Sequence, residues 1–290
     1  MLNSCIKAKP KVMVLTLYCG EPQYQRCIES VNSQIDVDYR HVVIENKPNV
    51  EAHRELYELI NKSVKNYDYF LKLDADMEFS SPDAISRIVN FFDKDVDHLQ
   101  IPVFDFLTNS DIRALNVFSC RVKIDTSKMD HLYVDNVNIV YPGSRRSEKE
   151  SFGIVYHCYN PSQSQCFTFG VHRALKVSQS DRFVPSLSNS KSQYRILRKI
   201  YNELKPHCEK DVRHVALTSA IMVFNGEIYG TMDEKKKFLS ADVFFDWDEA
   251  SADKWFGGNE ILSIIKVLGL TRFVLGCTRS ILLNATKLAR

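Results

Sequence analysis

The chain reads as an α/β protein, a mostly parallel central sheet flanked by helices, followed by a helical C-terminal region. Three observations predict this class. Across residues 12–76 short apolar runs alternate with segments of helical period, in the order strand, helix, strand, helix, strand. The third run, through Phe70, Leu71 and Leu73, stops abruptly at Asp74-Ala75-Asp76. Beyond residue 181 the apolar spacing is helical.

Each element has its own signal. Val12-Met13-Val14-Leu15-Thr16-Leu17 follows Pro10 and is apolar throughout, as a strand buried on both faces must be. A short loop, 18–22, leads to a helix at 24–34 with Tyr24, Cys27, Ile28 and Val31 on one face. Residues 41–46 form a second buried strand, stopped by Lys47-Pro48-Asn49, and residues 51–66 a second helix with Leu56, Leu59, Ile60 and Val64 inward. The third strand is 71–76; Leu71 and Leu73 point one way, Phe70 and Lys72 the other. Such alternation implies right-handed crossovers and parallel pairing. Ser81-Pro82-Asp83 reads as a helix start, Ser81 the cap and Pro82 the first position, continuing through 84–92.

Residues 99–104 predict a further strand, as do 117–123, 132–141 and 152–156; residues 142–151 read as a polar, mobile loop. Asn160-Pro161-Ser162 opens a helix to about residue 177, and 194–204, 211–224 and 261–288 are the clearest later helices. A serine-rich stretch at 178–190 divides the chain into domains 1–178 and 179–290.

Composition narrows the function. With 44% hydrophobic and 26% charged residues, the 290-residue chain has the balance of a soluble globular protein rather than a disordered one. A net charge of +2, with no basic cluster interleaved with aromatics, argues against nucleic acid as a partner. No two of the eight cysteines have two-residue spacing, which predicts reduced, buried thiols and a cytoplasmic location. Residues 1–11 lack the apolar core of a signal peptide, and no run reaches the roughly 20 apolar residues of a membrane span.

The acidic triplet carries the chemistry. Asp74 and Asp76 stand where an apolar strand ends, and in open α/β sheets ligands bind outside the carboxyl ends of strands. Two carboxylates there suit a hard divalent cation, Mn2+ or Mg2+, and the phosphate oxygens it carries. Such triplets also occur in solvated turns and helix caps; the apolar strand directly before this one favours the metal.

Three segments carry a family resemblance. Thr16-Leu17-Tyr18-Cys19-Gly20-Glu21 followed by Cys27-Ile28-Glu29-Ser30-Val31-Asn32-Ser33-Gln34 looks like the first strand, nucleotide loop and first helix of the GT-A glycosyltransferases, most closely the family 2 type. Val43-Ile44-Glu45-Asn46 stands where that family has an acidic pair at the nucleobase, and Leu73-Asp74-Ala75-Asp76 matches its signature acidic motif. The resemblance covers residues 12–79 well and 99–176 loosely. It implies a Rossmann-like GT-A fold. It also implies metal-dependent transfer from a nucleotide-diphosphate sugar, a UDP-sugar favoured, to a glycan or glycolipid acceptor. Such acceptors belong to bacterial surface polysaccharide or lipopolysaccharide synthesis. Carried over by position, Thr16, Tyr18 and Glu21 would line the nucleobase and ribose pocket and Glu45 would take the acidic role near the base. Glu45 departs from the usual Asp and Asn46 replaces a second acid, which leaves the base open. Asp74 would bind the ribose or the metal's water shell, and Asp76 the metal directly.

Many GT-A enzymes complete the metal site with a late histidine. His157, between an apolar run and a capped helix, is either that ligand or a histidine packed under a loop on a carbonyl. The helix after it either helps to hold phosphate at its N-terminus or only packs through Phe167, Phe169 and Val171. Arg145, Arg146 and Lys149 either close over the diphosphate or form a solvated loop. Inverting transfer needs a general base; no acidic pair stands at the family's usual distance, and Asp135 and Asp105 are the candidates. A retaining mechanism would need neither.

After Glu260 no acidic residue occurs, while Lys266, Arg272, Arg279, Lys287 and Arg290 punctuate an apolar run. A basic amphipathic segment at 261–290 predicts peripheral contact with an anionic membrane, at the inner face of the cytoplasmic membrane. The alternatives are packing on the domain's own core or on a second subunit, which would make a homo-oligomer. Two other functions share some of these features. A nucleotidyltransferase also places acids on an α/β sheet, but the opening loop lacks the Gly-rich basic stretch that cradles a triphosphate. A non-catalytic partner in a polysaccharide assembly complex would not need Asp74 and Asp76 intact.

Overall fold

Alternating apolar strands and amphipathic helices build a main sheet in the computed structural model, which describes residues 9–127, 129–135, 138–140, 144–149, 153–205, 211–228 and 247–288. The first elements are β1 (Lys11–Tyr18), α1 (Tyr24–Asn32), β2 (Asp38–Glu45), α2 (Asn49–Ser63), β3 (Tyr69–Asp74), β4 (Met77–Phe79) and α3 (Ala84–Asn90). Then come β5 (Val96–Asp105), β6 (Ser110–Ser119), β7 (Lys123–Asp125), β8 (Asn138–Val140), β9 (Ser144–Ser147) and β10 (Val155–His157). The sheet order is β2-β1-β3-β6-β5-β10-β4, with β9 pairing on β5; β7 and β8 form a separate two-stranded sheet. Pairing is parallel for β1 with β2 and β3, and for β5 with β9 and β10; β6 and β4 run the other way.

The period-2 pattern of β1 and β3 divides the core. Val12, Val14, Leu71 and Leu73 join Cys27 and Val31 of α1 and Ile85 and Ile88 of α3. Met13, Leu15 and Phe70 join Leu56, Tyr57 and Ile60 of α2 on the other face. Burying each such aliphatic side chain contributes about 1.5–3 kcal/mol, so the register that keeps both faces apolar is strongly specified.

The remaining helices are α4 (Gln163–Ser178), α5 (Leu187–Leu204), α6 (His214–Phe224), α7 (Glu249–Ala252), which runs into a π-helical turn at Asp253–Gly257, α8 (Glu260–Leu268) and α9 (Leu270–Leu288). Ser162 caps α4 in a capping box with Gln165. Gly170 lets α6 approach α4: a Cβ there would fall 1.9 Å from the Ala216 carbonyl oxygen.

The chain divides into two compact units, Met1–Asn160 and Pro161–Arg290. The division falls before α4, not after it at residue 178, because the buried face of α4 packs on α5, α6 and α8. Other expectations shift too. Ser81 does not cap α3: its hydroxyl donates to Asp83 at 2.5 Å, and Gln34 Oε1 accepts from the Ile85 amide at 2.9 Å instead. The strand expected at 117–123 starts earlier and ends at Ser119, with β7 separate. Of 132–141, only Asn138–Val140 is strand among the described residues, and 131–135 forms turns. The polar loop expected at 142–151 contains β9, anchored because Arg146 reaches Asp93, Glu148 and the Phe91 carbonyl. The helix expected over 261–288 is broken at Gly269, whose φ of +76° suits glycine, and bends there by 111°.

Candidate active site

Parallel pairing puts the carboxyl ends of five strands on one edge of the sheet. Reading across it, β2 ends at Glu45, β1 at Tyr18, β3 at Asp74, β5 at Asp105 and β10 at His157. Tyr18 stands opposite Glu45 in register, and His157 opposite Asp105. This is the edge where an open α/β sheet binds ligands.

At one end Asp76, His157 and Asp105 assemble. Asp76 lies in the two-residue turn between β3 and β4. Its carbonyl accepts from the Cys158 amide at 2.8 Å, and the His157 carbonyl accepts from the Phe106 amide at 3.1 Å, so backbone bonds fix both residues. His157 Nδ1 is 2.7 Å from Asp105 Oδ1, and Nε2 is 3.4 Å from Asp76 Oδ2. Asp105 is fully buried, and its Oδ2 accepts from the amide and hydroxyl of Thr108. Burial alone would lower the His157 pKa; the Asp76 and Asp105 carboxylates override it and raise it to about 10. Burial alone would raise Asp76, but the neighbouring imidazole brings it below the usual carboxylate value.

Asp74 belongs to a second group. Lys72, on β3, is buried and donates from Nζ to Asp74 Oδ1 at 2.7 Å; the same Nζ is 2.9 Å from Asp135 Oδ1. His53 Nε2 on α2 is 3.5 Å from that oxygen. Burial would lower the Lys72 pKa, and Asp135 and Asp74 more than reverse this. Burial would raise Asp135, but Lys72 and then His53 hold it well below the usual carboxylate range.

The other end is aromatic. Tyr18 and Tyr24 stack with centroids 3.9 Å apart and planes 17° from parallel. Burial and the Glu45 carboxylate beside it raise the Tyr24 phenol's pKa. Glu21 accepts from the Cys19 amide at 2.7 Å, shaping the loop after β1. Asn46 takes φ of +54°, which asparagine tolerates, and donates its amide to the Tyr18 carbonyl. Back at the His157 end, where β4 pairs with β10, Arg26 grips Glu78 with two bonds, 2.6 and 2.7 Å, and lies 4.3 Å from the Tyr159 ring centroid.

Three expectations change. Thr16 is fully buried, its hydroxyl 2.9 Å from His41 Nε2 on β2, so its side chain lines no ligand surface. Asp105 is no base for a substrate, because both its oxygens serve the fold and His157. Asp74, Asp76 and His157 do not form one ligand set: Lys72 holds Asp74, and no group of three His, Cys, Asp or Glu ligands is gathered among the described residues. The basic residues at 145–149 also move away. Arg145 donates to Gln100, and β9 pairs with the amino half of β5, 96–100, not with the edge at Asp105.

The pair Asp76 and His157 does fit a divalent ion. Two donors about 2.1 Å from an octahedral ion lie about 3 Å apart, close to the 3.4 Å found between Oδ2 and Nε2. The Asp105 contact at Nδ1 is the kind of partner that would fix a ligating imidazole's ring, and an ion would displace the Nε2 proton that faces Asp76. Hard ions commonly take one or two protein ligands and complete their shell from phosphates and water. The sequence singled out Asp76, His157 and Asp135. It missed Lys72 as part of the site, although a lysine inside an apolar strand was a visible signal.

No family model and no curated protein sequence matches the chain. Among solved structures it aligns with the mannosyltransferase PcManGT from Pyrobaculum calidifontis in complex with GDP-Man and Mn2+, at 11% identity over 93% of this chain and 88% of that one, TM-score 0.35. It also aligns with S. aureus TarS 1–349 at 13% identity, over 73% and 80% of the two chains, TM-score 0.33. A third neighbour is a glycosyltransferase involved in glycosylation of the major capsid of PBCV-1, at 13% identity and TM-score 0.30. That match covers 38% of this chain, which spans 60% of that one. Likenesses at these scores carry no argument, and the geometry must carry the function.

Proposed function

We propose that this chain is a GT-A-type glycosyltransferase. It moves a sugar from a nucleotide-diphosphate sugar, a UDP-sugar favoured, to a glycan or lipid-linked acceptor, with Mn2+ or Mg2+. One observation carries the reading: five strand ends bring Glu45, Tyr18, Asp74, Asp105 and His157 onto one edge, with Asp76 facing His157 at 3.4 Å. Asp76 and His157 hold the ion, Asp105 keeps the imidazole aimed, and nitrogen ligation suits Mn2+ better than Mg2+. When bound, the ion neutralises charge that develops on the departing diphosphate. The stacked Tyr18 and Tyr24 offer a flat surface for a nucleobase, with Glu45 beside it. Asp74, held at one oxygen by Lys72, receives the ribose hydroxyls through the other. Asp135 is the candidate base.

Contact with an anionic membrane through residues 261–290 belongs to this proposal on altered grounds. Arg272 donates to the carbonyls of Ser178, Gln179 and Arg182, and Arg279 to that of Val184, so these arginines face their own unit. What supports the contact is apolar: Leu270, Val274 and Ile281 are exposed and fall within about 40° of one another around α9.

Thermal unfolding with added nucleotide tests the reading. UDP or GDP with Mn2+ at 100 times Kd should add about 2.7 kcal/mol, roughly 5 °C, over metal alone. A larger effect from CTP or GTP would favour nucleotidyl transfer. No effect from any nucleotide would favour a non-catalytic partner.

A further inference from the structure

Lys72 has no assigned part in the reaction. It is 2% exposed in the middle of β3, on the face where Phe70 meets α2. A buried ammonium needs partners, and the two carboxylates that meet it among the described residues come from different elements. Asp74 ends β3, and Asp135 belongs to the turns at 130–135. His53, whose Nδ1 is 2.8 Å from the Asn49 carbonyl, brings Nε2 to the same Asp135 oxygen that Lys72 meets. Both contacts fall on Oδ1, while the Asp135 side chain is 50% exposed.

We propose that Lys72 is a positioning residue: it ties Asp135 by one oxygen to the end of β3, so that the second oxygen is presented to the attacking hydroxyl group. This rests on the glycosyl-transfer reading. In the step, the hydroxyl proton passes to Asp135 Oδ2 and the hydroxyl oxygen bonds the anomeric carbon. The bond from that carbon to the diphosphate breaks, and its electron pair leaves on the nucleoside diphosphate. Lys72 touches neither reactant. The ammonium has three N–H donors to satisfy, and by meeting Asp74 and Asp135 together it ties the 130–135 segment to the end of β3.

The test uses the full chain, with water as the attacking group. UDP- and GDP-sugars are screened with Mn2+, and the one the wild type hydrolyses fastest becomes the probe. Asp135→Asn, which keeps an oxygen for Lys72, should lower kcat about 100-fold or more, as loss of a general base does, and leave the donor KM within about twofold. Lys72→Met should lower kcat similarly, and adding Asp135→Asn to it should lower kcat no further. Lys72→Arg should recover part of the loss. In Lys72→Met the backbone amides of 130–135 should exchange about tenfold faster than in the wild type, with α6 unchanged. A merely structural lysine would lower the melting temperature and leave kcat intact. Variants with kcat within about threefold of wild type would overturn the inference, as would unaltered exchange at 130–135. If the wild type binds nucleotide but hydrolyses no donor, unaltered exchange at 130–135 still overturns the inference by removing the tie it proposes. A wild type that neither hydrolyses a donor nor binds nucleotide with Mn2+ removes the glycosyl-transfer reading itself.

Discussion

Single side chains divide the acidic residues of the edge into different jobs, and environment decides which is which. Asp76 and Asp105 both meet His157, but Asp105 is fully buried with both oxygens bonded, whereas Asp76 is partly open. Asp76→Ala should abolish metal-dependent sugar transfer with folding intact. Asp105→Asn should instead weaken Mn2+ binding about 10–100-fold, the usual cost of losing a ligand's outer partner. Titration calorimetry with Mn2+ separates the two, and equal, unaltered affinities in both variants would contradict the site. The sequence named Asp105 because it follows a strand, but could not tell a substrate-facing carboxylate from one turned to a histidine 52 residues later. Thr16 misled for a related reason. It lies inside β1, two residues before the end, and its partner His41 is on a strand whose register the sequence does not show.

Strands and helices were legible where period and burial agree. The elements from β1 to β3 follow from apolar runs, and the two faces of β3 from simple alternation. Segments with short or polar strands were not: β9 reads Ser-Arg-Arg-Ser, and its place beside β5 comes from tertiary pairing. The β5–β6 pair yields a pH prediction. His98 is buried, stacked on Phe118, and its Nε2 is 3.0 Å from Asn116 Oδ1, while Nδ1 has no partner among the described residues. Burial lowers its pKa from 6.5 to about 4. Above pH 6.5 both folded and unfolded chains leave it neutral, so stability is unaffected. Below that the unfolded chain takes up the proton first, and stability falls until pH 4. At pH 5 the loss should be about 2 kcal/mol relative to pH 7. Urea denaturation of wild type and His98→Gln at both pH values measures it; an equal pH slope in the two would count against this assignment.

At the scale of the whole molecule, the α/β class and its mostly parallel sheet were readable because right-handed crossovers leave few alternatives. The boundary between units was not, because the serine-rich stretch looks like a linker while α4, before it, packs with the later helices. The C-terminal run has the spacing of one basic amphipathic helix. Gly269 breaks it, and two of its arginines cap internal carbonyls. Membrane contact through its apolar stripe predicts that Ile281→Glu with Val274→Glu releases the protein from phosphatidylglycerol vesicles in a sedimentation assay. Unaltered co-sedimentation would remove that surface from the proposal.

The proposed chemistry depends on a cation held where the third strand ends, against a diphosphate. Anomalous diffraction from crystals soaked with Mn2+ and UDP or GDP tests it directly. The expected result is a manganese peak within bonding distance of Asp76 and His157 Nε2, beside the bound nucleotide's phosphates, with Asp105 still on Nδ1. Nucleotide bound elsewhere, or Asp76 and His157 still paired with each other and no manganese between them, would contradict it.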